Sequence, residues 1–241
     1  MTYICMGLAA LAGGIIQPLT GFGSAVILIA VAQYFFDITV APSVVAAICM
    51  FQSGIMAYQH RKKIDLKQIV PSIALYTVCS LIVINLLGNF DLHILTAVFG
   101  GFLILLSLYF LFIEKKMSLK PSKATGLLCS AFSGCCAGAF TIGGPMMALY
   151  FVAIARDKET YLANMQFLFI TTNVINLAMR TCRGLYGVEH LPVTAVSVAF
   201  VLIGLAVGNA LSKKMSGDVA RQVVYIGVGV SGLVTLLQQI L

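Results

Sequence analysis

Gln17-Pro18-Leu19-Thr20-Gly21-Phe22-Gly23-Ser24 interrupts residues 2–36, a run of 35 residues without a charged side chain. As one helix that run would reach about 50 Å, well past a hydrocarbon core of roughly 30 Å. Two full crossings and a turn would need more residues than it has. The cluster is where a helix would give way, because glycine weakens it and Pro18 removes a backbone donor. Irregular backbone survives at membrane depth only where protein or a water-filled cavity satisfies it. The run therefore reads as a broken helix or re-entrant hairpin, against the competing reading of one long tilted helix with a proline kink.

Seven more uncharged runs follow, at 38–59, 68–90, 94–113, 124–155, 160–179, 191–212 and 222–241. A soluble domain could not hide so much apolar surface. In a bilayer the same composition predicts an all-α integral membrane protein with eight apolar segments. Basic residues outnumber acidic ones, 15 to 8. They sit beside the ends of apolar runs (His60-Arg61-Lys62-Lys63, Lys115-Lys116, Lys213-Lys214), as the positive-inside bias demands, so no nucleic-acid partner is implied. The seven cysteines lack metal-ligand spacing and the three histidines are dispersed, which predicts no metal and no cofactor. No phosphate-binding loop is present, and His60, His93 and His190 offer no catalytic pairing, so the chain reads as a non-enzyme. The first run has no basic flank and outlasts a signal-peptide core, so it reads as mature protein.

A shift of 121 residues lays Gly13, Thr20 and Gly23 on Gly134, Thr141 and Gly144, and Gln52 opposite Asn173. The order of one long run and three short ones also recurs. Two four-segment repeats are expected, 1–113 and 124–241, joined by a cytoplasmic loop at 114–123. The second long run, 124–155, is broken by Thr141-Ile142-Gly143-Gly144-Pro145. If each long run enters and leaves on one side, the repeats are inverted. Arg156, Lys158, Lys213, Lys214 and Arg221 then lie inside, against Arg180 and Arg183 outside. Inverted repeats with discontinuous helices recur in secondary transporters, whose substrate lies where the breaks meet.

Broken helices expose backbone N–H groups at a positive helix end, which binds anions. Gly21, Gly23, Gly143 and Gly144 would let a ligand approach the backbone, and Thr20, Ser24 and Thr141 would add hydroxyls. Gln52, Asn173 and Asn176 are intramembrane amides that could line the path or simply join helices. Arg180 shares a helix face with Asn173 and Asn176, and either lines that path or snorkels to the interface. Gly134-Xaa-Xaa-Xaa-Gly138 and Gly204-Xaa-Xaa-Xaa-Gly208 read as helix-packing motifs. All eight carboxylates lie between apolar runs, so the pathway carries no acidic cation site and suits an anionic cargo.

Leu19-Thr20-Gly21-Phe22-Gly23-Ser24, the basic loop His60 to Asp65, Gly134 to Gly138, Ile142-Gly143-Gly144-Pro145, Asn173 and Arg183-Gly184 together resemble the sulfite exporter TauE/SafE family over nearly the whole chain. The resemblance implies a permease for sulfite, a sulfonate or a related organosulfur anion, working without a nucleotide-binding subunit. The expected setting is a multi-pass protein of the bacterial inner membrane, with a small anion and the lipid bilayer as partners and a homo-oligomer left open. The alternative is a non-transporting membrane assembly or sensor subunit.

Overall fold

The computed structural model describes residues 1–113, 122–212, 229 and 232–237. Among these the secondary structure is helical throughout. The first long run forms α1 (Thr2–Thr20) and α2 (Ser24–Ala32), and the second forms α6 (Lys123–Phe140) and α7 (Gly144–Ile154). Between them lie α3 (Ala41–Gln59), α4 (Leu66–Leu86) and α5 (Leu92–Leu108); α8 (Lys158–Cys182) and α9 (Leu191–Ser212) follow. Four of these helices (α1, α3, α4, α8) and the segment Val188–Ser212 are long and apolar enough to cross a membrane. The linker residues 114–121, the last run at 222–241 apart from 229 and 232–237, and Lys213, Lys214 and Arg221 lie outside the described residues.

Both long runs break at the glycine clusters. Gly21, with φ 86°, caps α1 in the left-handed region and donates its N–H to Gln17 O. Gly23 follows at φ 110°, a conformation that L side chains resist. In the second break Thr141 takes the left-handed position itself, at φ 61°. Pro145 falls in the first turn of α7, where its missing N–H costs nothing.

Each long run then folds back on itself. A methyl placed on Gly126 would lie 2.5 Å from the Tyr150 hydroxyl, and one on Gly143 2.7 Å from Ser133 O. Ser130 Oγ faces Met147 Sδ at 3.6 Å. These contacts climb α6 as they descend α7, so the pair is an antiparallel hairpin. In the first half Ser24 lies against Gly13, where an added methyl would meet its Oγ at 2.5 Å, and Gly23 lies against Ile16. The hairpin reading of the long runs holds, and the kinked single helix does not.

The hairpins pack across the halves. α1 lies on α9, α6 lies on α4, and α3 crosses α8. Glycines make the close approaches: Gly204 meets the Leu11 carbonyl, Gly208 that of Ile15, Gly134 that of Tyr76 and Gly138 that of Ser80. At one end, Lys63 Nζ pairs with Asp157 at 3.3 Å and Glu159 at 3.9 Å, and Asp65 N donates to Asn164 Oδ1 at 3.0 Å. At the other, Phe36 meets the His190 ring at 5.9 Å and Arg183 donates to Asn85 at 2.6 Å.

Candidate functional site

The two hairpin tips meet near the middle of the bundle. Phe22 of the first touches Gly144 of the second, where a methyl would come within 2.8 Å of Phe22 Cβ. Beside this contact lies a cavity of about 30 Å³. Gln17, Gly23, Ala25 and Val26 line it from the first hairpin, and Thr141, Ile142 and Gly144 from the second. Cys49 and Ser53 of α3, Tyr76 of α4, and Phe169 and Asn173 of α8 complete the wall. These four α3 and α8 residues and Tyr76 all sit near the midpoints of their helices.

The polarity of the hairpin helices decides what the cavity favours. α2 and α7 both begin here, so their unsatisfied first-turn N–H groups converge on it. α1 and α6 end here, and their carbonyls would oppose that field. The protein supplies donors to those ends. Thr20 O accepts from Tyr161 Oη at 2.7 Å, Gly21 O from Gln166 Nε2 at 2.8 Å, and Gly138 O from the Arg180 guanidinium. The negative helix ends are thus answered by side chains while the positive ends remain open to the cavity. No carboxylate of the described residues lines it. Among the described residues no cluster of three His, Cys, Asp or Glu could hold a metal ion.

The residues expected at the site divide into three sets. Gly23, Thr141, Gly144 and Asn173 line the cavity. Asn173 is 9% exposed, and its carboxamide has no hydrogen bond to another described residue. Thr20, Gly21 and Gly143 build the tips without lining the cavity. The Thr20 hydroxyl closes on Phe22 O and Ile16 O, and Gly143 packs under the Tyr76 ring. The Thr141 hydroxyl is likewise taken, donating to Pro42 O at 2.9 Å. Ser24, Gln52 and Asn176 serve contacts between helices. Ser24 faces Gly13 and the Cys49 thiol, Gln52 Nε2 donates to Gly13 O at 3.3 Å, and Asn176 Oδ1 accepts from Ser80. Arg180 does not snorkel: it is 0% exposed, because Gly138 O and Thr39 O take its N–H groups inside the bundle.

Sequence reasoning missed Gln17, Ser53 and Tyr76. Gln17 Nε2 donates to Gln166 Oε1 at 2.8 Å and to Ser53 Oγ at 3.4 Å, placing a polar bridge on the cavity wall. The signal for Gln17 was present, since an amide one residue before a proline inside an apolar run needs a partner. Tyr76 gave none, because nothing local separates a tyrosine on a pathway from one packed in a core.

A search of the curated proteins finds no match, and neither does a search of the solved structures. The family model for the sulfite exporter TauE/SafE family matches residues 6–235. That span takes in both breaks and all the helices described above except the first four residues of α1, so this multi-pass membrane protein belongs to the sulfite exporter TauE/SafE family, whose members are transporters of small anions and not enzymes.

Proposed function

We propose that this permease carries sulfite, a sulfonate or a related organosulfur anion by alternating access around the cavity between the hairpin tips. The observation that carries the reading is the convergence of the α2 and α7 N-termini there, with the opposing carbonyl ends already occupied. Such ends hold an anion through backbone N–H groups with no charged side chain in contact. Gly23 and Gly144 leave room for that approach, and Asn173 brings a carboxamide to the cavity wall. A volume of about 30 Å³ holds one or two waters, so a sulfur oxyanion requires the tips to part.

Repeats 1–113 and 124–241 related by inversion, with a cytoplasmic linker at 114–123, fit the same mechanism. The exchange of packing partners supports two related halves: α1 on α9 answers α6 on α4, and α3 meets its counterpart α8. A bacterial inner membrane is the setting in which such a permease would act. The test is uptake by the purified protein in liposomes of labelled sulfite, thiosulfate, sulfoacetate and sulfate, with chloride as the control. Saturable uptake of at least one sulfur anion is expected. No flux of any of them, from protein shown to be folded, would instead favour a non-transporting assembly or sensor subunit.

A further inference from the structure

Among the described residues Arg180 is the largest fully buried side chain, and it forms no ion pair with any of them. A buried cation normally has a carboxylate beside it, since desolvation without a partner is costly. Here its described partners are two backbone carbonyls, Thr39 O at 3.3 Å and Gly138 O, and its Nε has no partner. Neutral carbonyls are weaker acceptors for a guanidinium than an oxyanion, which can take two parallel N–H bonds.

Its position gives this deficit a direction. Asn173, Asn176 and Arg180 lie on one face of α8, and the seven steps from first to last rise about 10 Å. The row leads from the cavity to the end where Cys182, Thr39 and the 183–190 segment lie. The second hairpin closes the way, with Thr141 bonded to Pro42 O and Gly138 to Arg180.

We propose that Arg180 is a second anion station, between the cavity and the 33–40 end of the bundle, covered in this conformation by the second hairpin. When that hairpin withdraws, Gly138 O leaves the guanidinium and the transported oxyanion takes its place in bidentate contact. This rests on the central-site reading above. The carbonyl contacts then act as a latch that the substrate itself displaces.

Two measurements test it on the full chain: sulfite KM and kcat in liposomes, and melting temperature with and without sulfite, for wild type, Arg180→Lys and Arg180→Gln. The Gln amide can still donate to a carbonyl, and Lys retains the charge without the fork. The station predicts a KM raised severalfold in Arg180→Lys with kcat nearly kept, and at least a tenfold loss of uptake at low sulfite in Arg180→Gln. A merely structural clamp predicts lower melting temperatures with KM unchanged, and that result overturns the proposal. Should the wild type move no sulfur anion, the central-site reading falls and the melting series alone judges Arg180. A sulfite-induced rise present in wild type and absent from Arg180→Gln then upholds the station; equal rises, or none in either, reject it.

Discussion

At the scale of single residues, the glycines of the two breaks do different work, which their sequence does not distinguish. Gly21 and Gly23 sit at positive φ; Gly143 does not, with φ −111°, and its constraint is the Tyr76 ring above it. Residue type therefore located the breaks, but which position would bear the left-handed backbone depended on how each tip turned. In the second break it is Thr141, because its hydroxyl is held by Pro42 O from another helix. Gly184 supplies a clean comparison: φ is 72° and no atom lies within 4 Å of an added methyl. Gly184→Ala should cost about 1–2 kcal/mol in stability with transport kinetics intact. Gly23→Ala carries at least that strain, and its methyl would also press on Ile16 Cγ2 at 3.2 Å. It also tilts the first turn of α2 away from the cavity, so KM should rise as well. Melting should fall further in Gly23→Ala than in Gly184→Ala; if Gly23→Ala nonetheless keeps the wild-type KM, the first break does not hold the substrate. Asn173→Ala should raise KM about fivefold, the value of one hydrogen bond near 1 kcal/mol, without a change in melting.

At the scale of elements, the uncharged runs marked the helices but not their starts. α4 and α8 each begin before their run does, because Asp65 and Asp157 are N-caps: Asp65 accepts from Gln68 N at 3.4 Å and Asp157 from Thr160 N at 2.7 Å. The backbone and side chain of Thr160, with Lys63 adding to them, hold the Asp157 carboxyl down at about 2. A depressed carboxyl stabilises the fold above its ordinary range near 3.8 and loses that contribution as pH falls toward 2. The contact between the 60–65 and 155–157 segments should therefore be unchanged from pH 5 to 8, and Asp157→Asn should leave the pH profile of uptake unaltered across that window. The glycine pairs of α6 and α9 were legible as packing motifs, and their partners were not, since a repeat pattern does not say which helix will come close. Gly134→Val would drive into the Tyr76 carbonyl, and overpacking of this kind costs about 1–3 kcal/mol or more. Gly54→Ala, inside α3 with Ile170 at ordinary contact of 3.5 Å, should leave melting unchanged or raise it slightly in the same assay.

At the scale of the whole molecule, the long runs and the charge clusters carried the architecture, since the bilayer leaves a sequence few ways to satisfy its backbone. The meeting of the tips and the burial of Arg180 were out of reach, because both depend on how the two halves face each other. That arrangement gives topology its sharpest test. Side chains that pair at 3.3 Å cannot lie on opposite sides of a membrane, so Lys63 and Asp157 tie the 60–65 and 155–157 segments to one face. Phe36 against His190 ties the 33–40 and 183–190 segments together in the same way. α3 leads from the latter pair to the former through 19 apolar-rich residues, about 28 Å, so the two pairs occupy opposite faces. Basic residues crowd the first face, at His60 to Lys63, Lys67, Arg156 and Lys158, so the positive-inside bias predicts that this face is cytoplasmic. Single cysteines at positions 62 and 158, in a background lacking the seven native ones, should resist a membrane-impermeant maleimide in intact cells. Cysteines at 37 and 187 should react. Labelling at 62 together with protection at 158 would place the two halves in the same orientation, and the pairing of Lys63 with Asp157 could not then occur in the membrane.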